Sequence, residues 1–451
     1  MRVLTLSTAW AGHSGGVTVN RELSLALADL GHDVTARVSV PSPSHPRVNV
    51  QGLEPVLGIT DERGQLLRAD GLPRNIDVIV GHGRFTGGAA SYLRDQFYPQ
   101  AKVVHIVHAL TDELDRLRDD PMQATEHANT ERLLIGKADV AMGLGPLLTD
   151  DAARLARMSP TPPVVAEMPP GVILGEPPSP SPAQGRLNLL LFGRADDPLK
   201  GARLAAEAAG QLHSQGMNLQ LTVLGAQPSQ LRVQERALSD VAGFPVKVKP
   251  FTPDRALIEA EIRGADLVLM PSKHEGFGLV ATEAAGFGVP VSVASNTGVG
   301  MFFGDARRVP EHLGQPSVVQ SPLQADDKQL AQLWAGHIKS RLDPDALAQT
   351  RARALELQEL LGKNYTWQHS AEAMLDSIAQ VPSASRAAAR GQARVAVTAR
   401  DEAASNAALL AAEGFRGTPS ARLAASRPGQ QAPGHQQMPG AHRHLDQQLD
   451  R

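Results

Sequence analysis

The chain has no cysteine. Disulfides, thiolate metal sites and cysteine nucleophiles are therefore excluded, while the redox compartment stays open. It also lacks charge of one sign: a formal net charge of −3 leaves no electrostatic footprint for nucleic acid. No apolar run approaches the roughly 18 residues expected of a membrane span. Residues 2–7, RVLTLS, read as a strand and not as a signal peptide, so a cytoplasmic protein is expected. There is no G-x-G-x-x-G, which counts against a dinucleotide dehydrogenase. No His/Asp/Glu cluster has metal-ligand spacing; His105 and His108 on one strand would point to opposite faces. Arginine outnumbers lysine and alanine is abundant, a composition that suggests a GC-rich bacterial source.

What is present is length and alternation. The 451 residues suffice for two or three domains with sizeable cores. Short apolar runs predict strands at 3–7, 34–38, 76–80, 103–107, 139–142, 187–192, 219–224, 246–249, 267–270 and 289–293. Helical patterns separate many of them: Val19, Leu23, Ala26, Leu27 and Leu30 recur at helical spacing, with Gly31 as the stop. Apolar strands alternating with helices predict α/β architecture with parallel sheets covered on both faces. The Pro/Ser-rich run at 176–185 marks a linker. The expected division is a first Rossmann-like domain at 1–178, a linker at 179–186, a second Rossmann-like domain at 187–364, and a helix at 365–381 opened by Tyr365 and Trp367. Residues 382–451 are rich in Ala, Arg, Gln, Pro and Gly, too poor in large apolar side chains to build a core. They are expected to be mostly disordered, with a short helix conceivable at 401–413, and are assigned no chemistry.

The densest functional signal is residues 271–290, PSKHEGFGLVATEAAGFGVP, directly after the apolar run at 265–270. This is a buried strand, a glycine loop carrying Glu275, and a helix carrying Glu283. Ligands of open α/β sheets sit at such strand-to-helix turns, where backbone N–H groups face outward. Eight fully helical steps would separate the two backbones by about 12 Å, whereas paired glycosidase carboxyls lie roughly 5–9.5 Å apart. A loop could shorten that distance, so the spacing weakens the hydrolytic reading in favour of binding. Alone, either glutamate could equally be a solvated helix carboxylate.

A second constellation follows the strand at 187–192: Gly193, Arg194, then Lys200 and Gly201 before a helix. A planar guanidinium and a mobile ammonium flanking one turn suit a diphosphate, and can stabilise charge developing on a departing one. Between the first strand and first helix lie Gly12 and the pair Gly15–Gly16, where the backbone can approach an anion. His82 and His108 follow strand candidates and could reach a cleft; each could equally be a structural histidine.

The motif at Ser272–Gly278 with Glu283 and Gly288–Val291 resembles the Glu-x7-Glu motif of retaining glycosyltransferases of family four, which have the two-domain GT-B fold. The resemblance spans about residues 1–380 and is densest at 187–295. It implies two Rossmann-like domains facing across a cleft, with a final helix crossing back to the first. It implies that Glu275 faces the transferred sugar, together with Phe277, Gly278 and Leu279, and that Glu283 holds the ribose. Gly193, Arg194 and Lys200 would bind the diphosphate, and Gly16 and His108 would approach from the first domain; His82 matches a more variable family histidine. The segment from Glu131 to Asp139 resembles a family landmark of helix-to-strand scaffolding, and that from Pro169 to Val172 the end of the first domain. One departure stands out: after Gly298 the family often continues with glycine and glutamate, where this chain has Val299-Gly-Met-Phe-Phe303.

The resulting expectation is a nucleotide-sugar-dependent retaining hexosyltransferase, with Glu275, Arg194, Lys200 and His108 as catalytic residues, no metal and no cofactor. The leaving phosphate would accept the acceptor's proton, so no dedicated base is named. The acceptor is left open among small molecules, glycans and lipid-linked species. Residues 111–120 are net acidic, which disfavours peripheral membrane contact. Rival readings are a sugar-nucleotide epimerase, a glycogen- or sucrose-type synthase, and a non-catalytic nucleotide-sugar-binding relative.

Overall fold

The computed structural model describes residues 1–382 except 13, 57, 60, 111–120, 170, 179–184, 253 and 323. The acidic segment at 111–120, most of the linker and nearly all of the tail with its conceivable helix lie outside the described residues.

Two parallel sheets organise the chain. The first joins β1 (Arg2–Ser7), β2 (Asp33–Val38), β3 (Asn49–Gly52), β4 (Val78–His82), β5 (Lys102–Val107), β6 (Val140–Leu144) and β7 (Val164–Met168) in the order β3-β2-β1-β4-β5-β6-β7. The second joins β8 (Leu187–Phe192), β9 (Leu219–Ala226), β10 (Lys247–Pro250), β11 (Leu267–Met270), β12 (Val291–Ala294) and β13 (Val318–Val319) in the order β10-β9-β8-β11-β12-β13. Every pairing is parallel. Strands such as Val78-Ile-Val-Gly-His82 and Leu267-Val-Leu-Met270 are buried along their whole length, as central strands covered on both faces must be.

Each sheet changes winding direction once. In the first the change falls between β1 and β4, in the second between β8 and β11. At such switch points the turns leaving adjacent strands diverge and open a crevice. The connections that leave these four strands are the segment ending at Ser14, which caps the helix opened by Gly15 and Gly16, the His82–Gly83 turn, the Gly193–Gly201 turn and the Pro271–Gly278 loop. Topology thus collects the sequence motifs at the mouths of the two sheets.

Three strands escaped the sequence pattern, and all lie toward the sheet edges: β3, β7 and β13. Asn49-Val-Gln-Gly52 has one apolar residue, β7 is only half-buried, and β13 is two residues long. Such strands are defined by pairing to a neighbour and carry little apolar signal of their own. The first helix also starts earlier than the apolar stripe suggests. It spans Gly15–Asp29, with the Ser14 side chain accepting from the Val17 N–H, so the paired glycines are its first turn and not a preceding loop.

The helix Trp367–Ala379 packs on β7 and on the Gly15–Asp29 helix of the first half, although it follows the second in sequence. Thr366 caps it. Ser370 Oγ donates to the Pro169 carbonyl at 2.6 Å, and Lys102 Nζ to the Ile378 carbonyl at 3.0 Å. Gly171 admits the Trp367 ring: a Cβ there would sit 2.2 Å from it. One continuous apolar core runs from Val104, Ile106 and Leu144 of the first half through Phe277, Phe302 and Phe303 of the second to Trp367. The halves are further joined by the ion pair Arg308–Glu167 and by Tyr365, whose hydroxyl donates to the Arg308 carbonyl at 3.1 Å and whose own carbonyl accepts from the Val172 N–H at 2.8 Å.

Candidate active site

The Gly193–Gly201 turn and the Glu275 loop are built as one unit. Gly201 has φ of 72°, and a Cβ there would fall 2.2 Å from the Pro271 carbonyl oxygen, so only glycine lets the two turns close. The Lys273 N–H donates to the Leu199 carbonyl at 2.8 Å. Asp197 caps the short Pro198–Lys200 turn by accepting from the Leu199 N–H at 3.0 Å, and it also ion-pairs with Arg194. From this frame Lys200 Nζ reaches Glu275 Oε2 at 2.5 Å. The Arg194 side chain is 54% exposed and its partner Asp197 is buried, so the guanidinium lies at the surface of the turn. Gly193 lies against the Lys200 stem, 3.6 Å from where its own Cβ would be.

The Glu275 loop is laced to the next turn as well. The Gly298 N–H donates to the Glu275 carbonyl at 3.2 Å and the Val299 N–H to the Phe277 carbonyl at 2.8 Å. Toward the first half, a Cβ on Gly276 would stand 2.7 Å from the His108 carbonyl oxygen, and one on Gly145 would stand 2.5 Å from the Phe277 ring. Gly278, at φ 105°, turns the chain into the Leu279–Gly286 helix. Leu279 in turn faces Gly15, while nothing lies within 4 Å of the position a Gly16 Cβ would take. The structure thus brings Gly15, His108, Gly276, Phe277 and Leu279 to the contact between the halves, with Gly16 beside Gly15, Gly278 next along the loop, and Lys200 bonded to the loop's Glu275. Phe277 is only 2% exposed, so its ring serves packing.

The segment that departs from the family pattern is core. Val299, Phe302 and Phe303 are buried, and Phe302 packs edge-on against Phe277 and Tyr365 at ring separations of 5.9 and 4.8 Å. Apolar bulk there wedges the Glu275 loop from behind.

Glu283 lies one turn and more into its helix and accepts from Arg255 Nη1 at 3.0 Å; Arg255 also donates to Glu259 at 3.0 Å. Burial pulls the Arg255 guanidinium downward, but Glu283 and Glu259 outweigh it and hold it above its ordinary value. Arg255 opens the helix after β10 and carried no motif signal.

On the first half two histidine pairs diverge from β5. His105 is buried and bonds Glu131 through Nε2 at 2.8 Å. His108, just past the strand end, bonds His82 (Nε2 to Nδ1, 2.8 Å), and His82 Nε2 meets Asn20 Oδ1 at 2.9 Å. Burial pushes His82 well below the usual imidazole range and His108 down to about 4, with neighbouring His105 adding to both shifts and Glu131 opposing that of His108. Sequence reasoning missed Asn20, although a signal existed: it is a polar residue set among Val19, Leu23 and Leu27 on the buried face of its helix. Glu131 was read as scaffolding, and its hydrogen bond is to a buried ring.

A cavity of about 490 Å³ opens between the halves, lined by Pro146, Thr149 and Glu167 from one and Ser295, Met301 and Arg308 from the other. Among the described residues no group of three His, Asp or Glu could hold a metal ion, and no helix is long and apolar enough to cross a membrane.

Comparison with known proteins agrees with this arrangement. The D-inositol 3-phosphate glycosyltransferase of Thermobispora bispora is 28% identical over 418 residues, covering 82% of this chain and 92% of that protein. The protein of the same name from Arthrobacter sp. (strain FB24) is 31% identical over 196 residues, and there the match spans only 42% of the relative's length. Among solved structures, sucrose-phosphate synthase from Thermosynechococcus elongatus superposes with a TM-score of 0.65 at 21% identity, covering 85% of this chain and all of that one. An Escherichia coli structure described as trehalose-6-phosphate bound with UDP-2-fluoro glucose gives 0.59 at 15% identity, over 85% of this chain and all of that one. Both likenesses are of fold. The chain belongs to the family described as family 4 glycosyltransferase in conflict systems, whose model matches residues 4–374.

Proposed function

From that membership, we propose that the chain transfers a hexose from a nucleotide diphosphate sugar to a hydroxylated acceptor with retention of anomeric configuration. The observation that carries the reading is the Lys200–Glu275 ion pair, set on two interlocked turns at the switch point of the second sheet. A diphosphate arriving there offers Lys200 a stronger partner than one carboxylate. Lys200 then moves to the phosphates beside Arg194, and Glu275 is released toward the sugar. Glu283, held by Arg255, takes the ribose hydroxyls. Gly16, with open space beside it at a helix N-terminus, lets the first half approach the diphosphate.

In the reaction the bond from the anomeric carbon to the phosphate oxygen breaks and the bond to the acceptor oxygen forms on the same face. The acceptor's proton passes to the departing phosphate oxygen, and the Arg194 and Lys200 cations stabilise the charge developing there. No cofactor or metal role is assigned. The nucleotide-sugar class is supported by neighbours whose descriptions name UDP-2-fluoro glucose, or UDP and glucose. The cavity between the halves, with Thr149, Glu167 and Arg308 on its wall, suits a small polar acceptor.

The test is thermal stability of the full chain with UDP, GDP, ADP, dTDP and their glucose and mannose conjugates, beside Arg194→Ala. At about a hundred times its dissociation constant a ligand adds about 2.7 kcal/mol. One nucleotide series stabilising the wild type, with the gain reduced in Arg194→Ala, is the expected result. No response to any of them overturns the donor assignment, and conversion of a donor with no acceptor present replaces transfer by epimerisation.

A further inference from the structure

The chain of side chains behind His108 has a direction. Asn20, His82 and His108 form a line of hydrogen bonds from the interior of the first half to its contact with the second. The line is anchored along its length. The His82 N–H donates to Thr86 Oγ1 at 2.7 Å, and Thr86 Oγ1 donates to the Leu6 carbonyl at 3.1 Å. Behind Asn20, Ser24 Oγ donates to the Asn20 carbonyl at 2.6 Å and sits 2.9 Å from Thr5 Oγ1. Asn20, Ser24 and Thr5 are completely buried and His82 is nearly so.

A carbonyl oxygen only accepts, so Asn20 Oδ1 requires the proton of His82 on Nε2. A neutral His82 then has a bare Nδ1, which can only accept, and the proton in the bond to His108 must come from His108 Nε2. A neutral His108 is left with a bare Nδ1. Both rings are kept neutral near pH 7 by burial, reinforced at His82 by His108 and His105 and at His108 by His105. The Asn20 amide NH2 is buried with no partner among the described residues, while its carbonyl oxygen faces His82.

We propose that Asn20 and His82 are positioning residues that lock His108 as the Nε2–H tautomer, so that its Nδ1 accepts a hydrogen bond from a hydroxyl of the bound sugar. What the nitrogen meets rests on the donor-site reading above; the tautomer relay does not. His108 lies where a sugar under Glu275 would be reached from the first half, since its carbonyl adjoins Gly276. A ring held in one tautomer distinguishes a hydroxyl donor from a carbonyl or phosphate oxygen, which a freely exchanging imidazole does not.

The test begins with the full chain free of ligand, labelled with 15N at histidine and examined near pH 7 by two-bond 1H–15N correlation. His82→Gln and His108→Gln assign the signals. The expected pattern is that of a fixed Nε2–H tautomer for both rings. The Nδ1–H form at His108, which the opposite Asn20 orientation imposes, overturns the proposal, as does a tautomer-averaged ring. Asn20→Asp keeps an acceptor at the end of the line and should preserve the pattern; Asn20→Leu removes it and should leave His108 averaged. In transfer assays Asn20→Leu should lower kcat/KM about tenfold, the worth of one hydrogen bond, with Asn20→Asp restoring most of it. Equal losses in both variants with the wild-type pattern intact would show Asn20 to be merely structural. The tautomer is read without any donor, so failure of the relay and failure of the donor assignment give separate results.

Discussion

Arg255 Nη1 stands 3.0 Å from Glu283 Oε1 and ties the helix after β10 to the helix after β11. The glutamate of the motif is therefore held in place by an arginine that belongs to no motif. Partial burial disfavours the Arg255 charge, and the Glu283 carboxylate, with Glu259, more than offsets that cost.

Arg255→Ala should release Glu283 and weaken nucleotide binding about three- to tenfold, as expected for one charge-assisted hydrogen bond that positions a ligand group. Glu283→Gln should weaken it about tenfold. Calorimetric titration with the stabilising nucleotide checks both. Unchanged dissociation constants in both variants would remove Glu283 from the ribose site.

Gly145→Ala should destabilise the chain by about 1–3 kcal/mol, because φ there is 76° and the new methyl group would stand 2.5 Å from the Phe277 ring. Since Phe277 lies on the Glu275 loop, activity should fall with stability. Gly336→Ala is the contrasting case. It lies inside the Asp327–Leu342 helix with nothing within 4 Å of a Cβ, and should stabilise by about 0.5–1 kcal/mol. Urea denaturation midpoints measure both, and a stable Gly145→Ala protein would contradict the packing described.

Acidification should reveal the buried histidines. His82, His108 and His337 all have folded pKa values below the ordinary 6.5, His108 and His337 at about 4. For His337 the causes are burial and then the neighbouring Arg341. In the window between those values the unfolded chain binds more protons than the folded one. Stability is therefore fully present above about pH 6.5 and is lost as pH falls toward 4, by at most about 1.4 kcal/mol per pH unit for each ring. His337→Gln should flatten this slope by roughly one ring's share, measured by denaturation from pH 4 to 8. An unaltered slope would show that His337 titrates normally.

Alternation of apolar runs and helical stripes was enough to read the α/β class, because central parallel strands must be apolar throughout to be buried on both faces. Three edge strands were silent for the converse reason: a strand such as Asn49–Gly52 exists by pairing with β2, and its own residues say little. At the site, glycine and charge spacing announced the Gly193–Gly201 turn and the Glu275 loop, because φ angles and backbone approach constrain residue type locally. The sequence alone thus determined the two-sheet class and the motif turns. Only the tertiary structure decided who meets whom: Lys200 with Glu275, Arg255 with Glu283, and Asn20 with His82 and His108. Those pairs join residues 75, 28, 62 and 26 positions apart, and such partners are chosen by strand order and domain packing, which no local spacing encodes.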